Sequence, residues 1–261
     1  LIYAENFSWS LTYQLMAILM SINIFISIYI SSEKPNPNHI KLSYQQSLIE
    51  PIKDFFERFG LKMASILLLI IATYRLTDIV MGPMANPFYI DMGYSLSEIG
   101  YVVKIVALIA TIIGVFIGGI FIKRYGLYKS LLVGAFLVMF TNLCFSYAAI
   151  NEKNLILLST IVASDSLAAG IVGTVNITFL TSLVSSKYTG FQYALLTSLM
   201  AFLGKVFGGF SGVLVENFQN LYGFNYGWMS FYIFTSFLAI PAIVIIFLNK
   251  NFFIIKNVKN I

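Results

Sequence analysis

Only one cysteine and one histidine occur among the 261 residues, and charged side chains make up just 10% of them. Cys144 lies in an apolar run, so no disulfide can form within the chain. His39 stands alone in a polar stretch, and no His/Cys cluster or H-E-x-x-H pattern offers a metal centre. No cofactor is expected. Ordinary soluble domains carry about 25% charged residues. The scarcity here, with 59% hydrophobic residues and a mean hydropathy of +0.85, argues against a soluble globular fold. Early basic residues are missing as well. The chain opens on Leu1 with Glu5 nearby, unlike a secretory signal peptide, and is expected to begin partway through a longer protein. Strand-like alternation is absent from the long apolar runs, which predicts an all-α polytopic membrane protein.

Seven segments are long and apolar enough to span a bilayer, which takes about 20 residues each. They cover roughly 11–30, 63–84, 99–122, 128–149, 155–182, 190–215 and 228–248. Residues 31–62 form the one long polar connection. There "SSEKPNPNH" cannot stay helical through Pro35 and Pro37, and "LIEPIKDFFERFG" reads as amphipathic. The expected divisions are a first helix at 1–30, a linker at 31–62, a six-helix bundle at 63–248 and a tail at 249–261. Net charge is +5, but its distribution indicates membrane orientation rather than a nucleic-acid partner. Twelve of the sixteen Lys and Arg fall in the linker, the turns at 123–129 and 185–189, and the tail; the alternate loops hold only Lys153. The positive-inside rule then places the linker and the C-terminus in the cytoplasm. Gly114 and Gly118, and Gly204, Gly208 and Gly212, recur at four-residue spacing, where helix backbones can approach closely.

Five charged residues stand inside predicted spans. "YRLTDIVMGP" carries Arg75 and Asp78; Lys104, Asp165 and Lys205 lie in three other helices. Each costs about 2.5–3.5 kcal/mol at a helix centre, so five unpaired charges would cost on the order of 12–17 kcal/mol. At about 1.5 Å per residue, all five lie roughly 15–22 Å from the cytoplasmic edge. A shared polar cavity near the midplane follows, with three cations against two acids. Arg75 and Asp78, at i and i+3, can neutralise each other. An anionic ligand would balance the remainder, and the acids are also candidates to carry protons.

The residues resemble a family. "YRLTDIVMGPMANPFYIDMGYSLSEIGYVVKIVALIATIIGVFIGGI", "GFQYALLTSLMAFLGKVFGGFSG" and the opening "WSLTYQLMAILM" are similar to the C-terminal half of AmpG-type muropeptide permeases, within the major facilitator superfamily. In "GGIFIKRYGLYKS", Gly119, Arg124 and Gly126 fit the superfamily's G-x-x-x-D-R-x-G-R-R turn, while Lys123 replaces the Asp and Leu127 and Tyr128 replace the paired Arg. The resemblance implies twelve helices in two halves with substrate between them. This chain would supply the sixth helix, the central cytoplasmic loop and the C-terminal six-helix bundle, and its partner would be the missing N-terminal half. The implied function is proton-driven import of anhydromuramyl peptides across the bacterial inner membrane. Arg75, Lys104 and Lys205 would then meet the carboxylates of this anionic glycopeptide, and Asp78 and Asp165 would couple protons. Tyr74, Asn142, Asn176 and Gln192 are further candidates for sugar or amide hydrogen bonds, although polar residues in spans are also common helix-to-helix glue.

Other readings fit less of the sequence. "GFSG" at 209–212 matches the G-x-S-G of intramembrane serine proteases, but Ser211 has no histidine near it to act as base. A retinal protein would need a lysine in the last span, and 228–248 has none. A facilitator for a drug, sugar or acyl-coenzyme A remains as an alternative, as does a fragment without function, since alternating access needs both halves.

Overall fold

The computed structural model describes residues 8–30 and 44–253. Among these residues every regular element is helical. The first part of the linker, with Lys34, His39 and Lys41, and the tail residues Lys256 and Lys259 lie outside the described residues. The chain divides into two compact units, residues 1–49 and 50–261. In the first, α1 (Trp9–Ile30) is an apolar helix of 22 residues, long enough to cross a membrane.

The second unit continues α2 (Tyr44–Tyr74) and adds α3 (Leu76–Asp91), α4 (Leu96–Tyr101), α5 (Ala107–Ala149), α6 (Leu155–Leu183), α7 (Thr189–Gly209), α8 (Ser211–Tyr222), α9 (Phe224–Phe237) and α10 (Ile240–Leu248). A π-helical turn, Val102–Val106, joins α4 to α5. Six continuous helical runs are long and apolar enough to cross a membrane. One of them, Leu96–Ala149, has 54 residues, about 80 Å at 1.5 Å per residue and far more than one crossing needs. It turns back at Gly126, whose φ of 77° and ψ of 168° are not helical. Gly114 before the corner and Thr141 after it meet neighbouring parts of α6, at Leu167 and Asp165. The six runs thus accommodate the seven expected crossings, and the turn expected over 123–129 narrows to one residue. Glycine adopts that positive φ without the steric penalty a Cβ would bring.

Other boundaries moved. The span expected at 63–84 reaches Asp91, running through Pro83 and Pro87. Proline at 83 removes the N–H that would have bonded Ile79 O. Gly208 of α7 brings its backbone to that oxygen, where a Cβ would lie 2.9 Å away. Such close neighbours let proline persist in membrane helices. The span expected at 190–215 breaks at Phe210, and the one at 228–248 breaks after Phe237, just ahead of Pro241.

Local chemistry locks both ends of the bundle. The segment before Gly60 is amphipathic as expected, with Phe55 buried and Lys53 paired to Glu57 outside. Gln192 fastens this segment: its Nε2 donates to Pro51 O and Asp54 Oδ2, while its Oε1 accepts from Arg58 Nη2 and the Ser185 N–H. Arg58 Nη1 adds a bond to Leu183 O at 3.0 Å, and the Tyr188 hydroxyl donates to Glu50 at 2.7 Å. At the opposite end Ser95 and Glu98 form a capping box, Asn154 caps α6, and Lys153 bonds Glu98 at 2.8 Å.

Two apolar cores fill the bundle. One gathers Leu67, Ile71, Leu131, Val138, Phe179 and Ile246; the other gathers Phe88, Phe145, Leu158, Trp228, Phe231 and Tyr232. Along α2–α3, α5, α6 and α9–α10 the chain passes from one core to the other, and polar side chains cluster at each crossover.

Candidate polar cavity between the two cores

Arg75 occupies the single non-helical residue between α2 and α3, with φ −109° and ψ 10°. One turn on, Asp78 accepts from its Nη2 at 3.5 Å. Asp165 enters from α6, and its Oδ1 accepts a 2.8 Å hydrogen bond from Thr141 of α5. Arg75, Asp78 and Asp165 line one cavity of about 230 Å³, with Tyr89 and Ser166 and with apolar walls that include Met81, Val103 and Val162. Asp165 makes no salt bridge among the described residues, whereas Asp78 has Arg75.

The charge balance differs from that expected. One cation and two acids line this cavity, so it does not hold the surplus of positive charge counted from the spans. Lys104, on the π-helical turn, and Lys205, on α7, are both exposed and contribute nothing to the lining. Depth along a helix is legible in sequence, but the direction a side chain faces depends on packing against its neighbours.

The four uncharged candidates are placed elsewhere. Tyr74 is buried and donates to Leu131 O at 3.2 Å, joining α2 to α5. Asn142 donates to Val138 O and accepts from Thr235 of α9 at 3.2 Å. Asn176 is buried with its Nδ2 3.4 Å from Met200 Sδ, and its Oδ1 has no hydrogen-bond partner among the described residues. Gln192 is spent on the end lock described above. All four sit between helices. Ser211 is likewise buried, its hydroxyl donating to Gly208 O at 2.6 Å.

A model of the Major Facilitator Superfamily matches residues 1–209. The chain belongs to this superfamily. It is 31% identical over 250 residues to the putative transporter AmpG 4 of Rickettsia felis, covering 94% of this chain and 58% of that protein. To the putative transporter AmpG 1 of Rickettsia prowazekii it is 32% identical over 195 residues, covering 74% and 42%. The anhydromuropeptide permease of Escherichia coli K12 is 29% identical over 240 residues, covering 91% and 46%. The chain spans about half the length of the curated relatives it matches. Membership in the superfamily makes it a multi-pass membrane protein related to transporters, and gives the Gly126 corner a context: the glycine of its turn motif is where one helix folds back into the next.

Sequence reasoning passed over Tyr89, Ser166 and Thr141. Tyr89 had a legible signal: it stands eleven residues after Asp78, three helical turns on along one face. Ser166 and Thr141 had none that set them apart from the many other hydroxyls in the spans.

Proposed function

We propose that this chain is part of a secondary transporter that imports anhydromuramyl peptides together with protons across the bacterial inner membrane, working with an N-terminal half. In this reading the linker and the C-terminus face the cytoplasm. The gathering of Arg75, Asp78 and Asp165 in one cavity between two apolar cores carries the proposal. Ionisable groups there are expensive unless used. Arg75 is neutralised by Asp78, so Asp165 is the acid free to take and release a proton, and Thr141 holds its other oxygen in place. Lys104 and Lys205, exposed on this half, are available to substrate carboxylates.

The test is uptake of labelled anhydromuramyl tripeptide into proteoliposomes containing the whole transporter, with and without a proton gradient. Asp165→Asn should abolish the gradient's effect while leaving passive exchange. Lys205→Ala should raise KM about 10-fold or more, the value of a lost charge-assisted hydrogen bond. Gradient-driven uptake of wild-type strength in Asp165→Asn would remove this residue from coupling. No uptake by the wild-type protein would overturn the substrate assignment.

A further inference from the structure

The cavity holds polar groups that proton coupling leaves unused. Tyr89 is only 4% exposed, its ring packs in the aromatic cluster around Phe88 and Phe145, and it lines the cavity. Its hydroxyl makes no hydrogen bond among the described residues, and neither does that of Ser166 on the same lining. A tyrosine buried to this extent ordinarily finds a partner for its hydroxyl. Asp165 lines the same cavity, and its Oδ2 makes no hydrogen bond among the described residues either.

We propose that Tyr89 and Ser166, beside the proton-carrying Asp165, form a subsite for a neutral polyhydroxylated ring, the sugar part of the substrate. This rests on the transport reading above. A carboxylate end is disfavoured here, because the lining carries two acids and one cation that is already paired. A sugar matches the inventory: its hydroxyls both donate to and accept from the two protein hydroxyls. Its C–H faces suit the walls at Met81, Val103 and Val162. At about 230 Å³ the cavity is smaller than the roughly 300–1,000 Å³ of drug-sized ligand pockets, so it suits one end of a glycopeptide rather than the whole. Sugar and peptide would thus engage different places, the sugar this cavity and the peptide carboxylates the exposed lysines.

Two conservative variants of the whole transporter, Tyr89→Phe and Ser166→Ala, test the subsite through competition against labelled glycopeptide uptake. The unlabelled competitors are the anhydromuramyl sugar without peptide and the free peptide without sugar. Each variant should weaken inhibition by the sugar about 5–10-fold, the value of one hydrogen bond. Inhibition by the free peptide should be unchanged, and so should the dependence of uptake on the proton gradient. Wild-type uptake that the sugar inhibits equally in all three proteins overturns the subsite and leaves the transport reading standing. A loss of inhibition by both competitors also overturns it, by pointing to a general disturbance of the cavity. Absence of glycopeptide uptake by the wild type removes the transport reading itself.

Discussion

Gly170 of α6 offers a sharp test of the packing. A Cβ built at this position would collide with Thr111 O and lie 2.9 Å from Val115 N and 3.1 Å from Gly114 C. All three are backbone atoms of α5, so no rotamer change can relieve them. Restoring ordinary carbon contacts of about 3.5 Å requires the two helices to part by about 0.5 Å or more. One turn away on the same helix, Gly173 has no neighbour within 4 Å of its would-be Cβ. Gly170→Ala and Gly173→Ala both gain about 0.5–1 kcal/mol from the helix preference for alanine, so this gain cancels in their comparison. What remains is the overpacking cost, about 1–3 kcal/mol. For a chain of this size that corresponds to a Tm difference of about 2–12 °C. Thermal unfolding followed by circular dichroism in detergent should place Gly170→Ala below Gly173→Ala by that interval. Coincident melting curves would refute the close α5–α6 contact.

Three further perturbations probe other parts of the structure. Gly126→Ala forces a Cβ into positive φ and should cost about 1–3 kcal/mol in the same melting assay, whereas a value near zero would mean that the corner is built differently. Gln192→Leu leaves Arg58, Asp54 and the Ser185 N–H without their shared partner. Proteolysis between residues 50 and 60 should accelerate by about 10-fold, the equivalent of roughly 1.4 kcal/mol of local opening. Trp228→Phe removes the 3.0 Å bond from its indole to Asp91 and part of the packing against Phe88. Loss of about 1–3 kcal/mol in denaturant unfolding is expected, and no loss would place that indole outside the core.

Much of the fold was legible because hydrocarbon imposes one dominant constraint. A span must be long, apolar and helical, and these properties can be counted along a chain. The long apolar helices, the amphipathic segment before Gly60 and the glycine contacts at Gly114, Gly118, Gly204 and Gly208 were all readable in this way. The extension of α3 beyond residue 84, through Pro87 to Asp91, was not. Proline ends a helix in isolation, and at Pro83 the approach of Gly208 from another helix helps to account for its place within one here.

The candidate site divides along the same line. Arg75, Asp78 and Asp165 were conspicuous in the sequence because a charge in an apolar run is costly wherever the run ends up. Composition and periodicity therefore settled the class of protein, its helical character and the positions of the costly side chains. Which of those side chains meet was a matter of helix rotation and packing, set by contacts between residues far apart in the chain. Tertiary structure joined Asp165 to Thr141, left Lys104 and Lys205 exposed and off the cavity lining, used Gln192 as a lock and lined the cavity with Tyr89. One helix presents several faces, and only its neighbours decide which of them is inside.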